Sequence, residues 1–148
     1  MVGWLISGIA NALDTLGEPP PDEWLRRLGA LPLVHRGSHR GERVLSRPAV
    51  TLMTSDHLTP EQKAVSGFWP GYFDAMGWGF GMSVRTSRTH LGPSVGSYGW
   101  SGFYGTAWYN DPAEDLTTIV IMQRAHLGDQ TLPMWHDFWT AVYQAIDD

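Results

Sequence analysis

Gly96-Ser97-Tyr98-Gly99-Trp100-Ser101-Gly102-Phe103-Tyr104-Gly105-Thr106 sets four glycines among eleven residues and fills the gaps with large aromatic side chains. Aromatic residues favour strands. Glycine inside a strand weakens it, and marks a bulge or a close approach by backbone or ligand. Continued to Asn110, the stretch reads as a strand with something pressed against it. Composition leaves open whether that is a ligand or a tightly packed neighbouring strand.

Working outward, Trp78-Gly79-Phe80-Gly81-Met82-Ser83-Val84-Arg85 alternates large apolar with small or polar residues, the period-2 pattern of a half-buried strand. On the other side, Asn110 to Asp115 reads as a turn, and Leu116 to Met122 as a β-rich strand. Short connections predict an antiparallel meander of about three strands. Pro133 to Asp148 carries Trp135, Phe138, Trp139, Val142 and Ile146 at helical spacing, which predicts a helix packed across the sheet. The fold class expected is α+β.

The first part of the chain is less regular. Asn11–Gly17 and Asp22–Gly29 read as short helices ended by glycine, separated by Pro19-Pro20-Pro21. His35 to Arg43 has neither helical nor strand periodicity. Ser46 to Met53 reads as a helix with Ser46 as N-cap and Pro48 in its first turn, and Asp56 to Ala64 as a polar connection. The 148 residues fit a single domain, with a helical region over 1–41 and the sheet and closing helix over 42–148.

Composition narrows the functions available. Hydrophobic residues make up 43% and charged residues 17%, the balance of a globular chain. A net charge of -5 disfavours a general nucleic-acid binder. The absence of cysteine excludes disulfides, thiolate metal sites and a cysteine nucleophile. The apolar start Met1 to Ala10 lacks a basic region and is too short to span a bilayer, so no membrane association and a cytoplasmic location are expected.

Three local patterns invite a chemical reading, and the blander one is preferred for each. His35 and His39 stand four apart, as metal ligands on a helix would. Gly37 and Gly41 oppose a helix there, however, and no third ligand completes a set, so no metal or other cofactor is expected. Gly92-Pro93-Ser94-Val95-Gly96 matches the nucleophile elbow G-x-S-x-G. It lies between antiparallel strands rather than between a strand and a helix, so a loop is expected. Trp69, Tyr72 and Phe73 could line a cleft, but such aromatic residues usually anchor a core or a loop.

The ordered set Trp78 to Val84, Gly96 to Gly102, Asp111-Pro112-Ala113-Glu114-Asp115-Leu116 and Met122-Gln123 resembles the C-terminal part of the β-lactamase-related serine hydrolases. That family includes class C β-lactamases, D-Ala-D-Ala peptidases and lipase-like esterases. Leu45 to Val50 and Leu58 to Gln62 resemble its lead-in to the sheet. The likeness covers residues 42–148 well. It implies a β-lactamase/transpeptidase-like fold and acyl transfer through a serine. Members use a Ser-x-x-Lys nucleophile motif, a Tyr-x-Asn-like motif and a Lys-Thr-Gly edge strand. In the esterase-like branch, tryptophan often replaces the lysine of the third motif.

Trp100-Ser101-Gly102 matches that third motif. The resemblance implies that Gly102 lets an acyl group lie along the strand, and that the Phe103 N–H is one oxyanion donor. Relatives often carry a smaller residue where Phe103 stands. The other two motifs are missing. Lys63 is the only lysine and Pro60 stands three residues before it, and no tyrosine is followed two places later by asparagine or serine. Asp22 to His35 resembles the family segment that precedes the tyrosine motif, yet the chain passes directly to Gly41-Glu42-Arg43. This reads as an internal deletion joined near Arg36–Arg40, and the absent nucleophile as a missing start. The expectation is a hydrolase remnant with no complete catalytic set, which keeps Trp100, Ser101, Gly102 and Phe103 of an acyl site. The expected partner is the small acyl substrate of the parent family; the alternative is a non-catalytic binding or self-associating module, in which an exposed sheet supports a homo-oligomer.

Overall fold

The computed structural model describes residues 36–39, 41–66, 68, 70–121 and 133–146. The two N-terminal helices expected over Asn11–Gly17 and Asp22–Gly29 lie outside the described residues, as does His35. From residue 36 the chain makes a two-stranded hairpin, β1 (Ser38–His39) with β2 (Glu42–Arg43), where no regular element was expected. Gly37 at φ 91° and Gly41 at φ 83° supply its turns. The Gly37 carbonyl accepts the N–H groups of both Val44 and Leu45, which folds the hairpin back onto the next segment.

Helix α1 (Arg47–Met53) begins as its sequence predicts, with Ser46 Oγ accepting the Ala49 N–H at 3.2 Å. The expected polar connection contains a further short helix, α2 (Pro60–Ala64). Thr59 and Gln62 close a reciprocal capping box around its first turn, satisfying two otherwise orphaned N–H groups. Helix α3 (Tyr72–Ala75) is a single turn that enters the sheet directly.

Five antiparallel strands follow in sequence order, more than the roughly three expected. They are β3 (Met76–Trp78), β4 (Ser83–Arg85), β5 (Tyr98–Ser101), β6 (Ala107–Asp111) and β7 (Leu116–Val120). Two segments that read as single strands are hairpins. Trp78 to Arg85 reverses through Gly79–Met82, with Gly81 at φ 83°, and Trp78 pairs with Ser83. Ser97 to Asn110 reverses through Gly102–Thr106, with Gly105 at φ 84°, and Ser101 pairs with Ala107. Both arms of each hairpin keep the two-residue period, so alternation alone conceals the reversal.

Alternation along β6 and β7 gives the sheet two different faces. On one, Ala107 and the half-buried Tyr109, Leu116 and Val120 meet helix α4 (Pro133–Gln144). On the other, Val84, Tyr98 and Trp108 pack with Met82 and with Val50 of α1. The sheet is therefore a middle layer, with helical structure on both sides. Of the five residues expected on the buried face of α4, Trp135 and Trp139 are buried, and Phe138 and Val142 flank them. Ile146 falls beyond the helix end and is exposed, while Tyr143 takes the next buried turn.

Candidate active site

The motif Trp100-Ser101-Gly102-Phe103 occupies the end of β5 and the turn that leads into β6. The Gly102 N–H donates to the Thr106 carbonyl at 2.6 Å and the Gly105 N–H to the Gly102 carbonyl at 3.0 Å, which closes the turn. Phe103 and Tyr104 sit at its tip, both exposed, with their rings edge-to-face at 5.3 Å. Among the described residues the Phe103 N–H has no hydrogen-bond partner. It is a backbone donor on a turn held rigid by its neighbours.

Each glycine of the opening stretch has a local structural reason. A Cβ on Gly99 would collide with the Trp108 carbonyl and stand 2.8 Å from Tyr109. A Cβ on Gly102 would stand 2.6 Å from Thr106 Oγ1, across the turn. Gly96 and Gly105 adopt φ values of 90° and 84°, which disfavour a side chain. The close approach that the glycines signal is thus made by neighbouring backbone at Gly99 and by the turn itself at Gly102.

Trp100 forms the aromatic side of the site. Its ring meets Trp78 edge-on at 4.5 Å and lies 5.8 Å from Phe68. Phe68 in turn contacts Tyr72 at 5.0 Å and Phe73 at 6.3 Å. The aromatic group suspected around residue 70 therefore joins the edge-strand motif through Phe68. Trp69 lies outside the described residues. The links through Phe68 and Trp78 carried no sequence signal, because they arise only in the folded sheet, where Trp78 on β3 reaches Trp100 on β5 across the intervening β4 and Phe68 arrives from the segment before α3.

The remaining candidates are absorbed by structure. Lys63 Nζ lies 2.6 Å from Asp56 Oδ2, and Asp56 Oδ1 accepts the N–H groups of Leu58 and Trp78, each at 3.0 Å. Burial pushes the Asp56 carboxyl up, but the Lys63 contact and the two amide bonds outweigh it and hold the group below its ordinary range. The sole lysine thus ties α2 to β3. Ser94 is buried, with its N–H on Asp111 Oδ2 at 2.7 Å and its hydroxyl bonded to Arg88 and Glu114. No helix follows it, so G-x-S-x-G here is a loop anchor. Among the described residues there is no group of three or more His, Asp or Glu able to hold a metal.

Burial raises the hydroxyls of Tyr72, Tyr98, Tyr109 and Tyr143 above the ordinary phenol range, and the neighbouring Asp111 adds to the rise at Tyr143. None of these four is suited to act as a phenolate base at neutral pH. Among the described residues no helix is long and apolar enough to cross a membrane.

The chain is similar to known proteins in both sequence and fold. It is 38% identical over 107 residues to two Mycobacterium tuberculosis proteins, an uncharacterized one from strain CDC 1551 / Oshkosh and one from strain ATCC 25618 / H37Rv. The match takes in 69% of this chain and only 26% of each relative, so the chain spans about a quarter of the length of the curated relatives it matches. Its fold is similar to that of a penicillin-binding protein homolog from Caulobacter crescentus, with a TM-score of 0.59, 19% identity, and coverage of 78% of this chain and 29% of that one. It is also similar to the simvastatin synthase LovD from Aspergillus terreus, with a TM-score of 0.53, 18% identity, and coverage of 85% and 39%. The Beta-lactamase family model matches residues 12–136, which span both the N-terminal region and the whole sheet. By that match, which covers most of its length, the chain belongs to the β-lactamase family.

Proposed function

We propose that this chain carries the edge-strand half of a serine-hydrolase acyl site and does not turn over acyl substrates by itself. The observation that carries the reading is the Phe103 N–H, which has no hydrogen-bond partner among the described residues and stands on the closed turn that follows Trp100. A rigid backbone donor of this kind can polarise an acyl carbonyl as negative charge develops on its oxygen. The chain contains no Ser-x-x-Lys to supply a nucleophile and its base. A single donor without a nucleophile provides no covalent route to hydrolysis.

The aromatic surroundings favour an uncharged acyl group as the ligand. Trp78, Trp100 and Phe68 offer apolar surface at the motif, and the sole lysine is committed to Asp56. A substrate carboxylate would find no lysine beside Trp100 to pair with. Small esters therefore fit better than carboxylate-bearing β-lactams.

Two measurements test this. Hydrolysis of a chromogenic β-lactam and of a p-nitrophenyl ester is expected to stay at background. Turnover that scales with purified protein and survives Gly102→Ala would require a different active site. Titration with the uncharged ester methyl butyrate is expected to shift the Phe103 amide resonance selectively, and an unmoved resonance at millimolar ligand would remove the acyl-site reading.

A further inference from the structure

Among the described residues, five buried side-chain polar atoms have no hydrogen-bond partner. Three of them, the Tyr72 hydroxyl, Arg85 Nε and Ser97 Oγ, gather on the face of the sheet that α4 covers. Each is sealed from solvent, so whatever satisfies it must fit inside the fold. The backbone brings two of them together. The Arg85 N–H donates to the Ser97 carbonyl at 2.8 Å, while the Gly96 N–H donates to the Arg85 carbonyl at 2.9 Å. Two residues of one strand thus oppose one of the other, with Gly96 at φ 90°, which is a glycine bulge. The bulge sets Ser97 beside Arg85, in the row next to Ser83, Gly99 and Tyr109. Ser83 Oγ reaches the Tyr109 hydroxyl at 2.9 Å across the bare Gly99, and the Tyr72 hydroxyl approaches both from α3.

Charge decides what these groups can hold. Arg85 is half-buried and, among the described residues, makes no ion pair. Burial pushes its guanidinium below the ordinary arginine range. The groups that act on it are the Tyr109, Tyr143 and Tyr72 hydroxyls and the like charge of Arg88. Those hydroxyls are neutral at physiological pH and supply no countercharge. Asp111, across from Ser97 on β6, spends Oδ2 on the Ser94 N–H and the Tyr143 hydroxyl and Oδ1 on the Ala113 N–H. A guanidinium withdrawn from water without a countercharge is costly, and a water molecule satisfies its N–H without offsetting its charge. The Nε–H can only donate, and both hydroxyls can turn their protons towards a common acceptor.

We propose that Arg85, Ser97 and Tyr72 form an interior site for one small monovalent anion, with chloride as its ordinary occupant. The Arg85 Nε–H and the two hydroxyls donate to the ion, and its charge balances the guanidinium. A monatomic ion accepts from every side with one atom, which suits a space bounded by the bonded hydroxyls of Ser83 and Tyr109. An oxyanion such as sulfate would have to part them. None of these residues belongs to the Trp100–Phe103 motif, so this inference is independent of the acyl-site reading.

The test uses the 148-residue chain at constant ionic strength, with sodium chloride replacing sodium gluconate. At about 200 mM chloride the melting temperature is expected to rise by about 4 °C, the shift of a ligand in roughly tenfold excess over its dissociation constant. Arg85→Gln removes the charge and is expected to abolish the shift. Ser97→Ala keeps every charge, removes one donor, and is expected to lose at least half of it. A second readout is His90, held below its ordinary range by burial, then by the Arg85 charge and by His136. An anion on Arg85 cancels part of that effect, so the His90 imidazole, followed by NMR, is expected to titrate higher in chloride than in gluconate. A melting temperature and a His90 titration indifferent to chloride mean that water alone satisfies the three groups, and overturn the proposal. So does a full chloride shift in Ser97→Ala, which would place the ion elsewhere and decides the matter even where Arg85→Gln does not fold.

Discussion

At the scale of single residues, the glycines of the motif separate into two kinds. Gly99 faces the backbone of β6, and backbone cannot turn aside. Gly102 faces Thr106 Oγ1, the end of a side chain that can rotate. Gly99→Ala is therefore expected to destabilise the fold by about 2 kcal/mol or more, in the range of overpacked cores. Gly102→Ala is expected to cost less than about 1 kcal/mol, because rotation of the Thr106 hydroxyl relieves the contact. Chemical denaturation of both variants checks the pair. Equal losses would mean that the turn is as unyielding as the strand. The sequence marked both positions as close approaches, but it could not say what approached. Only the pairing of Gly99 with Tyr109 identifies the intruder as backbone.

At the scale of elements, α4 is fastened by three aromatic residues spaced four apart. Each buries an apolar body and sends a polar tip to the sheet. Trp135 Nε1 donates to the Gly105 carbonyl at 3.0 Å, Trp139 Nε1 to Thr118 Oγ1 at 3.1 Å, and the Tyr143 hydroxyl to Asp111 Oδ2 at 2.6 Å. The first of these reaches the turn that carries the candidate oxyanion donor, so docking of the helix and geometry of the site are coupled. Trp135→Phe keeps a buried aromatic ring but removes the N–H together with the rest of the pyrrole. It is expected to cost about 2 kcal/mol, the lost bond and the lost packing together, and to broaden or shift the Phe103 and Gly105 amide resonances. A variant equally destabilised but with those resonances unmoved would show that the turn holds its shape alone. The helix was readable from its apolar spacing, whereas its polar pins depend on which strands lie beneath it. The hairpins were hidden for a different reason, since neither turn contains the Asn-Gly or Asp-Gly pair that announces a reversal. The capping box of α2 was written in Thr59-Pro60-Glu61-Gln62, and a polar composition masked it.

At the scale of the whole molecule, ionisation sets an acid and an alkaline limit to stability, and the two arise in different places. Asp56 has a folded-state pKa below its unfolded value of 3.8. Its contribution is therefore present above that value and disappears as the pH falls through the folded pKa. The tyrosines act in the opposite direction. Burial pushes the Tyr98 hydroxyl from 10.0 up to about 12, so its neutral form belongs to the folded state. That contribution is complete below pH 10 and is lost as the pH rises towards 12, at about 1.4 kcal/mol for each unit of displacement. Tyr72, Tyr109 and Tyr143 are displaced in the same direction, so the alkaline loss should be steep and shared between both cores. Thermal melting followed from neutral pH to pH 12 should show a plateau and then a fall that begins near 10. Tyr98→Phe has no proton to lose at that position. It is expected to begin slightly less stable at neutral pH and to fall less steeply, so that the two curves converge in alkali. Parallel curves would place the alkaline loss on the tyrosines beneath α4 instead, and would leave the Tyr98 face of the sheet insensitive to pH.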